Sequence, residues 1–175
     1  MKTKLMPTIV LGTICLIVAL LLSVVNMFTA PIIADALLAK EQAAYEEILP
    51  GCTNVVDITE ENKDNLIGSI VNVYKADNGY IFKANATGKS SGIIIMIGVD
   101  SEGKISGTKC TSNAETPGYA KPVFDRTEGE GGVYIGMDNE SYEADLVAGS
   151  TKTSKAYADA VKSALEIYEI VKGGQ

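Results

Sequence analysis

Ile93-Ile-Ile-Met-Ile97 is a continuous apolar run made largely of β-branched residues. Its length suits a strand, and its lack of alternation suits one buried on both faces. Working outward, Asp100-Ser-Glu-Gly103 reads as a turn into a further strand over Lys104 to Cys110. Upstream, Ile67, Ser69, Val71 and Val73 alternate in a strand-like way. The turn residues Asp77-Asn-Gly79 then lead into Tyr80 to Ala84, which predicts a hairpin. Ala34 to Leu49 has apolar Leu37, Leu38, Tyr45, Ile48 and Leu49 at helical spacing and is stopped by Pro50-Gly51. At the other end, Ser154 opens a helix with apolar Ala156, Ala160, Val161, Ala164, Leu165, Ile167 and Val171, and Thr153 or Ser154 is its expected N-cap. Strands in the middle with helices at both ends predict an α+β fold, a mainly antiparallel sheet with flanking helices. The span 34–175 is ample for one core. The loop Glu128-Gly-Glu-Gly-Gly132 carries no periodicity.

The N-terminus sets the location. No charge lies between Lys4 and Asp35, and Leu5 to Phe28 is almost wholly apolar. A bilayer core needs about 20 such residues as a helix. A cleavable signal peptide has a shorter apolar region ending in small residues, and Val24-Val-Asn-Met-Phe28 makes a poor cleavage site. Cys15 follows Gly12-Thr-Ile14, which does not suit lipidation. Residues 1–33 therefore read as one uncleaved anchor, with Pro31 at the membrane exit. Lys2 and Lys4 precede the span, whereas Asp35, Glu41, Glu46 and Glu47 follow it. The positive-inside rule predicts a single-pass protein of the cytoplasmic (inner) membrane, its N-terminus cytoplasmic and its main domain, 34–175, extracytoplasmic.

Setting Lys2 and Lys4 aside leaves 13 basic against 22 acidic residues, a net charge of −9. Such a surface disfavours nucleic acid. With no histidine in the chain, histidine-ligated haem, most catalytic zinc sites and Ser-His or Cys-His dyads are excluded. Three cysteines cannot make a four-cysteine metal site. Cys15 falls within the span, while a bridge between Cys52 and Cys110 is left open.

Asp145-Leu-Val-Ala-Gly-Ser-Thr151 stands directly ahead of the last helix. Thr151 supplies an aliphatic hydroxyl able to form a phosphoester. Gly149 lets backbone N–H groups approach phosphate oxygens, and a helix N-terminus favours an anion. Read alone, Gly-Ser-Thr before a helix is an ordinary capping loop. A second segment, Ser112-Asn-Ala-Glu-Thr-Pro-Gly-Tyr119, reads on its own as a type II turn, with Pro117 setting φ and Gly118 at the positive-φ position.

The first of these segments resembles the D-x-x-[S/T]-G-A-T motif at which a flavin transferase attaches FMN to the last Thr. Ala148 and Ser150 depart from that motif. The second is similar to the S-H-x-E-T-P-G-L segment of FMN-binding domains, with Asn113 in place of His and Tyr119 in place of Leu. Together with the anchor, the helix ending in Leu-Pro-Gly and the Gly-Ile-Ile-Ile hairpin, the order of features resembles the G subunit of the Rnf electron-transport complex. That family is related to the C subunit of the sodium-pumping NADH:quinone reductase. The resemblance covers nearly the whole chain.

It implies covalent FMN on Thr151, with Asp145, Gly149, Ser150, Thr153 and Ser154 around the attachment point. It also implies that Glu115, Thr116, Gly118 and Tyr119 lie near the flavin. Lys121 and Lys152 are candidates to offset the phosphate charge, with solvated surface as the other reading of either and the preferred one for Lys121. The implied role is electron relay in a membrane complex moving electrons between ferredoxin and NAD⁺ with Na⁺ or H⁺ transport. No residue is expected to turn over a substrate. The implied partners are the other membrane and peripheral subunits and a flavin transferase for maturation. Two other readings stay open: a stand-alone membrane-anchored flavoprotein serving an external acceptor, and a flavin-free scaffold module.

Overall fold

A computed structural model describes residues 2–90, 92–129 and 131–173, with side chains over 10–33 and from 43 onward. Helix α1 spans Lys2–Ile48. Strands β1 (Val56–Asp57), β2 (Ile70–Ala76), β3 (Gly79–Ala86), β4 (Ile93–Asp100) and β5 (Ile105–Ser112) follow, then helices α2 (Pro117–Thr127) and α3 (Thr151–Lys172). A 3₁₀ segment, Glu60–Asn65, lies between β1 and β2. The chain forms two compact units, Met1–Lys40 and Glu41–Gln175.

Within the first unit, Val10–Ile33 is a 24-residue apolar segment of mean hydropathy 2.5, none of it buried. At 1.5 Å per residue it is about 36 Å long, enough to cross a hydrocarbon core of about 30 Å. Thr29 hides its hydroxyl by donating to the Val25 carbonyl at 3.0 Å. Pro31, placed at the membrane exit by the sequence, lies inside α1, which runs without a break into the stretch from Ala34. One missing N–H is a single lost bond in a 47-residue helix, and the apolar flanks have no competing structure. Leu37 and Leu38 of the expected amphipathic stretch lie outside the described side chains.

The second unit is an antiparallel meander in the order β1-β2-β3-β4-β5. The two-residue link Asp77-Asn78 closes the β2–β3 hairpin, with Ala76 paired to Gly79. Strand β4 is covered on both sides, as its unbroken apolar run predicts. Ile93, Ile95, Ile97 and Val99 are fully buried on one face, against Tyr157, Val161, Ala164, Leu165 and Tyr168 of α3. Met96 packs on the other with Ile48, Leu49, Ala76 and Ile81. Each fully buried aliphatic side chain is worth roughly 1.5–3 kcal/mol relative to exposure.

Two glycines make the second face possible. Gly98 and Gly107 are cross-strand partners. A Cβ on Gly107 would stand 2.7 Å from Ile48 Cα, and one on Gly98 would press still closer on the Ile48 carbonyl. The chain end of α1 thus seats directly on the sheet, where Ser106 Oγ donates to the Ile48 carbonyl at 2.5 Å.

Several boundaries differ from the sequence reading. Strand β2 begins at Ile70 rather than Ile67, because Gly68 takes a φ of +61° and bends the chain there. Strand β1 and the 3₁₀ segment had no periodic signal. Cys52 and Cys110 are both free thiols. They pack against opposite faces of the sheet, which keeps them from bridging. Burial, followed by the neighbouring Glu128 charge, raises the Cys110 thiol to about 11.

Candidate functional site

The Thr116-Pro-Gly segment is not a type II turn. Thr116 has extended backbone, and Pro117 starts α2 at a position where its missing N–H costs nothing. Gly118 is within the helix, without positive φ. Tyr119 and Ala120 donate their N–H groups to the Thr116 carbonyl at 2.9 and 3.1 Å. Pro117, Gly118 and Tyr119 thus open a helix that the turn reading did not foresee.

The last helix also begins earlier than expected. Thr151 is its first residue and Ser150 takes the cap position, without a side-chain cap bond. Gly149, at φ +81°, bends the chain into the helix, a conformation that side-chain-bearing residues rarely adopt. The first intrahelical bond is from Ser154 N–H to the Ser150 carbonyl, 2.9 Å. Among the described residues, none accepts the N–H groups of Thr151, Lys152 or Thr153. Thr153 and Ser154, the expected caps, point inward and are buried to 1% exposure. Ser154 Oγ accepts from Val147 N–H at 3.1 Å and donates to the Ser150 carbonyl at 3.1 Å. It ties the incoming loop to the helix.

Four hydroxyls therefore crowd this turn, in contrasting settings. Ser150, Thr153 and Ser154 are buried, whereas Thr151 is exposed. Thr151 opens onto a groove of about 270 Å³. Gly149, Ser150, Lys152 and Thr153 line it on the α3 side, and Lys89 and Tyr119 face them. The Lys89 ammonium lies over the Tyr119 ring, 3.5 Å from its centroid. The sequence reading missed Lys89, which comes from the loop between β3 and β4 and belongs to no motif.

The remaining expected residues act at one remove. Glu115 is buried and bonds to Thr153 and to Ser90 N–H. Asp145 does not line the groove. It forms a two-point pair with Arg126 of α2, Nε to Oδ2 at 2.8 Å and the second guanidinium nitrogen to Oδ1 at 2.7 Å. This guanidinium holds the Asp145 carboxyl below the usual aspartate range. The backbone N–H of Asp145 donates to Tyr134 Oη at 3.2 Å, and Tyr134 stacks between Tyr142 and Tyr157. That tyrosine stack holds the irregular chain ahead of α3 in place. Neither Arg126 nor Tyr134 carried a signal in the sequence. Thr116 and Gly118 do not line the groove. Lys121 pairs with Asp125 at 2.7 Å on the exposed side of α2, in keeping with its reading as surface.

A larger depression of about 440 Å³ lies by Tyr45, Glu46, Asp57 and Tyr74. Its lining includes carboxylates and no lysine or arginine, a poor setting for a phosphate. The Thr151 groove has the opposite character: two lysines, first-turn N–H groups with no acceptor among the described residues, an aromatic ring and an exposed hydroxyl. These residues fit a phosphorylated aromatic cofactor.

Similarity to known proteins points the same way. Residues 88–166, which include every residue lining that groove, match the model of the FMN-binding domain family. The chain is further similar to the G subunit of the ion-translocating oxidoreductase complex of Stutzerimonas stutzeri. The two are 27% identical over an aligned 175 residues, taking in 89% of this chain and 77% of the relative.

Proposed function

We propose that the chain is the electron-carrying subunit of a membrane-bound, ion-translocating oxidoreductase complex, with FMN joined to Thr151 by a phosphoester bond. The observation that carries this reading is the contrast among the hydroxyls: only Thr151 is exposed, at the first position of α3, behind a positive-φ glycine. When bound, FMN supplies one- and two-electron redox chemistry. The chain's own residues tether, orient and screen it. The unbonded N–H groups of Thr151, Lys152 and Thr153 would donate to phosphate oxygens. Lys89 and Lys152 would balance the phosphate charge, and Tyr119 would offer a ring face to the flavin.

Attachment would draw on a dinucleotide that carries FMN through a phosphoanhydride bond. In that reaction the Thr151 hydroxyl would be the nucleophile, its oxygen replacing the bridging oxygen on the FMN phosphorus. The nucleotide would leave with the bridging oxygen, and the hydroxyl proton would be lost, since none of the residues lining the groove is a carboxylate or histidine placed to take it.

The relative's name supports a place among partner subunits. Transfer between ferredoxin and NAD⁺, coupled to Na⁺ or H⁺ movement, is the proposed reaction of the whole complex. Residues 1–33 would be the anchor, gripped by membrane subunits, with 34–175 on the extracytoplasmic side of the cytoplasmic membrane.

The test is co-expression of the full chain with a flavin transferase, followed by a denaturing gel under ultraviolet light. The parent chain should give a fluorescent band, Thr151→Ala none, and Ser150→Ala a band at least as bright. A dark parent band beside an active transferase would overturn the assignment.

A further inference from the structure

One buried carboxylate joins the two sides of the groove. Glu115 is 7% exposed. Its Oε1 accepts Ser90 N–H at 2.6 Å, and its Oε2 accepts the Thr153 hydroxyl at 3.2 Å. Asn113 Oδ1 in turn accepts the Glu115 N–H at 3.2 Å, fixing the backbone ahead of α2. The fit around the carboxylate is close. A Cβ on Gly88 would stand 2.8 Å from Glu115 Oε1 and 3.0 Å from Thr153 Cα. The loop therefore reaches α3 only because residue 88 lacks a side chain. The next residue, Lys89, is the one whose ammonium lies on Tyr119 in the groove.

These contacts have two consequences for Thr151. Residues 151 and 153 are about 200° apart around a helix, so anchoring one inward turns the other outward. Glu115 anchors Thr153. The same carboxylate also holds the loop that brings Lys89 to the groove. The resemblance to flavin-binding chains put Glu115 beside the flavin itself, whereas its oxygens are committed to protein donors.

We propose that Glu115 is a positioning residue for flavin attachment: by binding the Thr153 hydroxyl and Ser90 N–H, it sets the rotation of the first turn of α3 and presents Thr151 to the transferase. This rests on Thr151 being the acceptor. A hydrogen bond to a charged group is worth enough that Glu115→Ala should slow loading of the full chain by about tenfold or more at fixed transferase and flavin dinucleotide. Glu115→Gln keeps an acceptor oxygen and should restore most of that rate. Thr153→Val removes the hydroxyl at nearly constant shape. It should slow loading too, and the Glu115→Ala, Thr153→Val double variant should be no slower than Glu115→Ala alone, the mark of one shared contact.

Amide hydrogen exchange of the unloaded chain reads the clamp without flavin. Exchange at Ser90 should quicken in Glu115→Ala and stay near the parent rate in Glu115→Gln. A folded Glu115→Ala chain that loads as fast as the parent, with unchanged Ser90 exchange, would overturn the clamp. Additive slowing in the double variant would also overturn it, as would a Glu115→Gln chain as slow as Glu115→Ala. A parent chain that takes up no flavin would instead overturn the acceptor reading beneath it, and the Ser90 exchange distinguishes the two failures.

Discussion

Helices α2 and α3 begin in similar ways, yet they leave their first N–H groups in different states. Both follow a hydroxyl residue, Thr116 or Ser150, that makes no side-chain cap bond. At α2, Pro117 removes one N–H, and the Thr116 carbonyl takes up those of Tyr119 and Ala120. At α3, three N–H groups find no acceptor among the described residues, and Gly149 turns the chain so that Thr151 emerges at the surface. A helix N-terminus is therefore not a site by virtue of being one. The residue before the cap and the residue at the first position decide between a closed start and an open one.

Substitutions at the two starts sharpen that contrast. The largest effect in the folded protein is expected from Gly149→Val. Nothing lies within 4 Å of a Cβ there, so the cost is conformational, about 1–3 kcal/mol for a β-branched residue at positive φ. Thermal unfolding should reveal it, and flavin loading should fall with it. Gly149→Asn should be milder, since Asn tolerates the left-handed region. Equal losses in Val and Asn would mean that the positive φ at Gly149 is not what orients Thr151.

Arg126→Ala should have a smaller effect with a definite pH dependence. Arg126 depresses the Asp145 pKa in the folded state. The pair's stabilisation is thus present above the unfolded aspartate value of about 3.9 and is lost as pH falls through the lower folded value. The parent should melt slightly above the variant at neutral pH, and the two should converge in acid. Because Arg126 is half exposed, salt should shrink the difference. A gap that persists once the pH has fallen below the lowered folded value of Asp145 would assign the effect to packing.

Gly118→Ala should change least. Gly118 is helical with open space around it, so alanine should be neutral or stabilising, by no more than about 1 kcal/mol. A clear loss of stability would restore the turn that the sequence suggested.

How much could be read in advance follows from the range of each interaction. The β-branched run of β4 and the apolar face of α3 are local patterns, and both elements formed, β4 running on to Asp100 and α3 starting three residues before Ser154. The sheet order followed from short turns at Asp77-Asn78 and Asp100–Gly103. Thr116-Pro-Gly misled because Pro and Gly suit both a turn and a helix start, and the choice depends on the packing of Ala120 and Val123 beyond it.

At the site, the hydroxyl and glycine of the Asp145–Thr151 segment were legible. Their supports were not. Lys89, Arg126 and Tyr134 come from three separate segments, and only tertiary contacts join them to Thr151, Tyr119 and Asp145.

The most direct test of the central claim is peptide mass spectrometry of the full chain purified after co-expression with a flavin transferase. The account expects one FMN, less one water, on the peptide containing Thr151, with fragment ions assigning it to that residue. FMN on Ser150 or Thr153, or an unmodified peptide beside an active transferase, would contradict it.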